Sequence, residues 1–262
     1  MSHTLLMRLA GPMQSWGVSS RFGIRETLSE PSKSGVIGLL CAALGWDRAA
    51  ETHPIAGQAR TLAELSALPL GVRVVREGVV RRDYHTAQNV LRAKAKLRPG
   101  KPVSDSDLQE TVLSERYYLS DAYFLVGIES DDVALLQAID AALAKPFWPL
   151  CLGRKAFVPS LPVQYTPETG GNVVNQSVAE ALLTARDPLL TRTPKHSGQW
   201  VEENTLTRRL ILDRPLDRAF SEASGLAETR KAQRTDVPLS FEPRRFAPRE
   251  ITIYTALDHV PV

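Results

Sequence analysis

The sequence contains few cysteines, and this shortage excludes several kinds of site. Two cysteines occur among 262 residues, Cys41 inside an apolar stretch and Cys151 between two leucines. This pair matches neither a disulfide framework nor the spacing of a zinc site. Their apolar neighbours indicate small buried side chains without a chemical role. No spacing of Asp, Glu and His suggests a metal either, and we predict no metal and no cofactor.

The sequence also lacks a long apolar run. The longest, from Val36 to Trp46, has about half the length that a membrane-spanning helix requires. The first residues, MSHTLLMRLAG, are interrupted by Arg8, unlike a signal peptide. We expect a cytoplasmic protein with no membrane partner. Hydrophobic residues make up 43% of the chain and charged residues 23%, as in ordinary globular proteins.

The sequence also lacks glycine directly ahead of the Lys-Ser pair in EPSKSGVIGLLCAALGW, residues 30–46. A P-loop needs glycines ahead of its Lys-Ser pair, so that backbone N–H groups surround the phosphates. Here Lys33 and Ser34 precede Gly35, and residues 26–32 contain no glycine, which excludes a P-loop NTPase. Two interpretations stay open. The helix start and Lys33 bind a single phosphate, or the segment is a capped helix of the core.

Excess positive charge is small in the whole chain but concentrated in one segment. The formal net charge is +3. Residues 81–101 nevertheless contain seven Lys/Arg and one Asp, whereas residues 102–115 contain four acids and no base. Within the basic segment, four cations alternate with apolar residues, which places them on one face of an extended ribbon. These cations are Arg92, Lys94, Lys96 and Arg98.

The basic ribbon has two interpretations. It is either a solvated edge hairpin, whose charges prevent pairing with other sheets, or a nucleic-acid contact. Tyr84 and His85 at its base favour nucleic acid, because base stacking needs flat side chains beside phosphate-neutralising charges. Arg154-Lys155, which follows a glycine, and Arg244-Arg245 form two further basic groups. Trp16, in the loop GPMQSWG, is compatible with core packing or with a stacking platform.

Hydrophobic patterning predicts an α+β fold. The predicted order is strand, helix, strand, strand, helix, strand. These segments are 3–10, 32–45, 70–80, 116–129, 131–146 and 147–163, with a second helical pattern over 57–68. This order indicates a ferredoxin-like or RRM-like antiparallel sheet with helices on one face. Beyond residue 164 the pattern weakens to a helix over 177–185 and strands over 207–213 and 249–257, with a polar stretch between these strands.

Five motifs occur in the order found in a known family. They are LLMRLAGPMQSWG, PSKSGVIGLLCAALGWDR, DYHT ahead of the basic ribbon, YYLSDAYFLVGIE and LGRKAFVPS. Together they closely resemble the CasD subunits of type I-E CRISPR Cascade, in the RAMP superfamily. The similarity covers most of residues 4–165 and returns at RRFAPREITIY. It implies one RRM-like domain over 1–262, with 81–115 as a protruding basic β-hairpin thumb and about 165–262 as a C-terminal extension.

The resemblance also implies a function and partners. The family binds the 5′ handle of the CRISPR RNA at one end of the Cascade effector complex in antiviral defence. Its neighbours are the large subunit that reads the PAM and the terminal backbone subunit, so target DNA is a partner only through the complex. The residues expected to bind RNA are Trp16, Arg21, Arg25, Lys33, Ser34, Tyr84, His85, Arg92, Lys94, Lys96, Arg98, Arg154, Lys155, Arg244 and Arg245.

A catalytic alternative stays open. Relatives in type I-C systems resemble this sequence and cut the CRISPR RNA precursor, which suggests a metal-independent endoribonuclease. Tyr84, His85 and a nearby lysine would supply a general base and a charge stabiliser for attack by a 2′-hydroxyl. The other histidines lie far apart in sequence, and the type I-E resemblance implies a separate nuclease subunit. We therefore predict a non-catalytic protein with no catalytic residue.

Overall fold

The structure is a mixed α+β arrangement dominated by antiparallel strands. The computed structural model describes residues 2–17, 20, 21, 23–92, 100, 102–167, 171–186 and 209–256, except for the side chains of 20, 21 and 256. The strands are β1 (His3–Ala10), β2 (Met13–Gln14), β3 (Ser20–Arg21), β4 (Ile24–Arg25), β5 (Thr52–Ile55), β6 (Gln58–Thr61), β7 (Leu70–Arg76), β8 (Val79–Leu91), β9 (Leu108–Ser120), β10 (Tyr123–Ser130), β11 (Val173–Val174), β12 (Arg209–Leu212), β13 (Leu226–Phe241) and β14 (Arg244–Ala256). The helices are α1 (Lys33–Leu44), α2 (Leu62–Ala67), α3 (Val133–Ala144), α4 (Val178–Thr184) and α5 (Arg218–Ala223). In these ranges, none of the helices is long and apolar enough to cross a membrane.

Seven strands form the large sheet, in the order β11-β1-β10-β7-β12-β14-β13. Every neighbouring pair in it is antiparallel. Strands from both halves of the sequence therefore share one sheet. The predicted α+β class with a large antiparallel sheet is confirmed.

Strand β1 is buried on both faces of the large sheet. Its residues Leu5 and Met7 pack in one core cluster with side chains of α1 and α3. Leu6, which points to the opposite face, packs in a second cluster with Val178 and Leu182 of α4. This two-sided burial accounts for the mostly apolar sequence of β1, in which apolar and polar residues do not alternate. The prediction that helices cover only one face is wrong, because α4 covers the other.

The two long helices begin and end where the sequence indicates. Ser32 caps α1 by accepting a hydrogen bond from the backbone N–H of Gly35, and Gly45 ends the helix in the left-handed region at φ 75°. Asp132 caps α3 by accepting from the backbone N–H of Leu135. Both predicted helices are confirmed.

Two segments predicted as single strands are each divided by a turn. The segment 70–80 breaks before Gly78, where a side chain would lie 2.7 Å from the Cβ of Ala122. The segment 116–129 breaks at Asp121, which has a φ of 58°. At the first turn the chain passes from β7 of the large sheet into β8, and at the second it returns from β9 into β10 of the large sheet.

Strands β8 and β9 form a long antiparallel hairpin. Their pairing runs from Val79 opposite Ser120 to Leu91 opposite Leu108. On its other side, β9 pairs antiparallel with β2 and parallel with β4, which forms a second, smaller sheet. The residues around the predicted turn of the basic ribbon, 93–99 and 101, lie outside the described residues.

Three further predictions need correction. The segment 147–163 forms no strand, since its prolines cannot donate to a sheet, and β11 pairs with β1 instead. The helical pattern over 57–68 holds only for α2, because its first residues form β6. The polar stretch after residue 213 contains β13, which pairs with β14. Only three of the 16 β13 residues are buried, because the strand lies at the edge of the sheet, so no apolar alternation marks this strand.

Candidate nucleic-acid interface

Strand pairing places two arginines and an aspartate in one row across the small sheet. Arg116 of β9 lies between Asp83 of β8 and Arg25 of β4. Residues directly opposite one another on paired strands share a face of the sheet. The three side chains therefore lie on the same face of the small sheet, near the root of the β8–β9 hairpin.

Arg154 joins this row from a neighbouring loop. Its Nη2 donates hydrogen bonds to the carbonyl oxygens of Arg25 at 3.2 Å and Tyr117 at 2.8 Å. Its guanidinium carbon also lies 5.4 Å from the centroid of the Phe157 ring. These contacts hold the guanidinium against the strands that carry Arg25 and Arg116.

Gly153 fixes the position of that loop. It has a φ of 94°, and a Cβ there would lie 1.8 Å from the carbonyl oxygen of Ser15. The backbone N–H of Ser15 also donates to the carbonyl of Leu152 at 3.0 Å. The close approach that Gly153 permits is therefore to the protein's own backbone.

The guanidinium groups of Arg25, Arg116 and Arg154 form an arginine cluster. Burial and the positive charges of Arg116 and Arg25 lower the pKa of Arg154, whereas the negative charge of Asp83 opposes this. Arg116 Nε donates to the hydroxyl of Ser114 at 3.0 Å. Within the part of the chain that the structure describes, no member of the cluster forms an ion pair with a carboxylate. Such a cluster suits an anion, because phosphate accepts paired hydrogen bonds from arginine.

Tyr84 and His85 lie on opposite faces of the hairpin. His85 faces the same side as Asp83, and its Nδ1 lies 3.6 Å from the Asp83 carboxylate. Tyr84 lies opposite Glu115 and is 63% exposed. The two rings are therefore not adjacent on one surface, and His85 alone shares the face of the arginine cluster.

Lys33 is buried at the N-terminus of α1. Its backbone N–H donates to the carboxylate of Asp236 at 2.7 Å, and its Nζ lies 2.7 Å from Asp213. The Ser34 hydroxyl lies 3.4 Å from that of Ser32. A carboxylate of the protein thus occupies the positive end of the helix. The structure supports the capped core helix and not the phosphate site.

Other charges continue this arrangement between α1 and the β13–β14 hairpin. Arg249 pairs with both Asp213 and Asp236. The buried Glu30 carboxylate pairs with Arg234 at 2.5 Å and with Arg209 at 3.1 Å. We call this group the buried ion network. Its members are Glu30, Lys33, Arg209, Asp213, Arg234, Asp236 and Arg249.

Trp16 is a core residue. Its ring is 1% exposed and lies so close to Gly35 that a side chain there would meet it at 2.7 Å. The indole N–H donates to the side-chain oxygen of Gln14 at 3.1 Å. The structure therefore places Trp16 against α1 and not on a stacking surface.

The remaining predicted contacts are distributed over several elements. Lys155 is exposed beside Arg154, and Arg92 donates from Nε to the carbonyl of Leu108 at 3.0 Å at the far end of β8. Arg244 and Arg245 begin β14 in the large sheet. The backbone of Arg21 lies in β3. Lys94, Lys96, Arg98 and the side chain of Arg21 lie outside the described residues.

Arg116 is a functional candidate that sequence reasoning missed. It precedes the strand-like run YYLS and has no basic neighbour in the sequence. Its position opposite Arg25 depends on a parallel pairing between strands that are distant in sequence. The sequence gives little indication of this role for Arg116, because only the strand register brings it next to Arg25.

Comparison with known proteins accounts for the motifs. A family model described as CRISPR-associated protein (Cas_Cas5) matches residues 4–253. The chain belongs to this Cas5 family. The CRISPR system Cascade subunit CasD of Escherichia coli (strain K12) is 34% identical over 156 residues, which cover 58% of this chain and 65% of that protein. The match thus spans somewhat less than two thirds of the curated relative.

Solved structures also resemble this Cas5 chain. A chain of a CRISPR RNA-guided surveillance complex has 33% identity and a TM-score of 0.63, covering 96% of this chain and 90% of that one. A second, described as a crystal structure of a Cas protein, has 34% identity and a TM-score of 0.60, covering 98% and 97%. The resemblance inferred from the sequence motifs is confirmed, and the Cas5 match includes the whole arginine cluster.

Proposed function

We propose that this Cas5 chain is a non-catalytic RNA-binding subunit of a CRISPR effector complex of the Cascade type. It binds the 5′ handle of the CRISPR RNA and caps one end of the assembly. The observation that carries this proposal is the arginine cluster, three guanidinium groups held together without carboxylate partners among the described residues. The backbone phosphates of RNA supply the missing negative charge.

The fixed positions of the arginines favour a backbone contact. Strand register fixes the backbones of Arg25 and Arg116, Arg116 Nε donates to the Ser114 hydroxyl, and Arg154 donates to two main-chain carbonyls. Guanidinium groups held in this way bind phosphate with little further loss of side-chain entropy. The relatives support the choice of nucleic acid, because one is named a Cascade subunit and another belongs to an RNA-guided surveillance complex.

We also infer that the core of the large sheet is ferredoxin-like. The order β11-β1-β10-β7, with β10 antiparallel to both neighbours, supports a ferredoxin-like core. The β8–β9 hairpin corresponds to the thumb, and the cations Lys94, Lys96 and Arg98 extend its contact with RNA. The chain acts as one RRM-like domain in which β12–β14 belong to the same sheet.

The proposed partners follow from the same assignment. The chain contacts the large subunit and a backbone subunit, and it meets target DNA only through the assembled complex. Arg244 and Arg245, exposed on the large sheet, lie on a different sheet from the arginine cluster. We assign them to contacts elsewhere in the complex.

One observation favours a second candidate, a metal-independent endoribonuclease. His85 lies 3.6 Å from Asp83 and shares a face with the arginine cluster, so an imidazole and a carboxylate adjoin the proposed phosphate site. Of the other described histidines, His3 belongs to β1 and His53 stacks on Trp46. The described residues thus offer no second imidazole beside the site to act as general acid.

One experiment separates the two candidates. Labelled, repeat-containing CRISPR RNA precursor is incubated without metal with the protein, the large subunit and a backbone subunit, leaving out the separate nuclease subunit, and binding and cleavage are both measured. We expect binding without cleavage, weaker binding for Arg116→Glu, and unchanged binding for Arg218→Glu, a matched exposed arginine on α5. Cleavage that falls by about 10²–10⁴-fold in His85→Ala would establish the enzyme instead.

A further inference from the structure

Asp83 is an acidic residue set into a cationic surface. Its partner across the hairpin is Arg116, and its charge acts on Arg154. Its carboxylate is 51% exposed. A negative charge at this point reduces the attraction of the arginine cluster for phosphate. A favourable role for Asp83 in RNA binding therefore requires a ligand group that donates a hydrogen bond.

We propose that Asp83 accepts a hydrogen bond from a ribose 2′-hydroxyl next to the phosphate held by the arginine cluster. This inference rests on the proposed RNA binding. An ionised carboxylate can only accept hydrogen bonds. The 2′-hydroxyl is the donor that RNA carries and DNA lacks. Asp83 is thus a specificity-determining residue that selects RNA over DNA.

The spacing of the strands favours the sugar over the base. Neighbouring strands lie about 4.8 Å apart, so Asp83 stands one strand away from Arg116. A phosphate bound at Arg116 and Arg154 is joined directly to its ribose, which brings a sugar hydroxyl to the adjoining strand. A base projects away from the backbone and lies farther from this row.

His85 supports the same arrangement. It is two residues beyond Asp83 on the same face, and its Nδ1 lies 3.6 Å from the Asp83 carboxylate. The strand register places Asp83 beside Arg116 and in the same row as Arg25.

The test compares RNA and DNA oligonucleotides of the CRISPR handle sequence. Affinities are measured for the wild-type full-length chain, Asp83→Ala and the matched control Glu115→Ala. Glu115 is an acid on the opposite face of the hairpin, paired with Arg82. Each variant removes one negative charge, so the readout is the ratio of RNA to DNA affinity.

We expect the wild type to prefer RNA by about tenfold, the effect of one hydrogen bond to a charged group. Asp83→Ala should bring the ratio near one, whereas Glu115→Ala should retain it. One 2′-deoxy substitution in the RNA should reproduce the loss with the wild type. An unchanged ratio in Asp83→Ala overturns this inference alone. Failure of the wild type to bind either oligonucleotide overturns the proposed function together with it.

Discussion

The buried ion network and the arginine cluster differ in what neutralises their positive charges. In the network, Lys33 and Arg249 contact the carboxylates of Asp213 and Asp236, so the cations are neutralised within the fold. In the arginine cluster, Arg154 instead adjoins other arginines, and its pKa is lowered by burial and by those neighbours.

This difference shows which cations are available to a ligand. A buried cation that already contacts a carboxylate gains little from a phosphate and would leave the carboxylate unpaired. A partly exposed cation among like charges gains from any anion that separates those charges. A basic residue is therefore a candidate for RNA binding only when its neighbours leave its charge unneutralised.

The largest expected effect is a loss of stability when the buried ion network is broken. Asp236→Ala removes the carboxylate that caps α1 and pairs with Arg249, leaving a buried cation without this partner. We expect the free energy of unfolding to fall by about 3–5 kcal/mol, measured by urea denaturation. Glu77→Ala is the matched control, because it breaks an ion pair of Arg209 that is half exposed. Equal stability of Asp236→Ala and Glu77→Ala would contradict the structural role of the network.

A smaller effect is expected for Lys33→Met. This change removes the hydrogen bond to Asp213, which remains paired with Arg249. We expect a loss of about 1.5–3 kcal/mol in the free energy of unfolding. The affinity of the folded variant for CRISPR RNA should equal that of the wild type. Weaker RNA binding with unchanged stability would mean that the lysine belongs with the arginine cluster.

A third stability effect reaches the arginine cluster through the loop that carries Arg154. In Gly153→Ala, the new Cβ meets the Ser15 carbonyl, so the loop that carries Arg154 must move. We expect a destabilisation of more than about 1 kcal/mol together with weaker RNA binding. The control is Gly57→Ala, because Gly57 also has a positive φ, but no atom of the described residues lies within 4 Å of the added group. Comparable RNA affinities for the two variants would show that the loop position is unimportant.

Much of the fold could be predicted because local signals coincide with the structure. Ser32, Gly45 and Asp132 mark helix ends through caps formed by residues nearby in the chain. Strand β13 could not be found in this way, because its edge position leaves few of its side chains buried. The helix α4 could be predicted from the sequence, but the face of the sheet that it covers depends on tertiary packing.

The candidate site was less predictable than the fold. Arg25 and Arg154 were expected to bind RNA, and the structure brings them together with Arg116, which was missed. Lys33 was expected at the same surface, yet its partner Asp213 is 180 residues away in the chain. Sequence patterns locate basic residues, but the carboxylates that neutralise them arrive through long-range contacts.

The salt dependence of RNA binding tests the central claim most directly. The logarithm of the binding constant is plotted against the logarithm of salt concentration for the wild type and for a variant with Arg25, Arg116 and Arg154 all changed to Gln. If each arginine contacts one phosphate, the slope should fall by about 0.7 per lost contact, or about 2 in total. Arg218→Gln, an exposed arginine on α5, should keep the wild-type slope. An unchanged slope in the triple variant would show that the arginine cluster does not bind the RNA backbone.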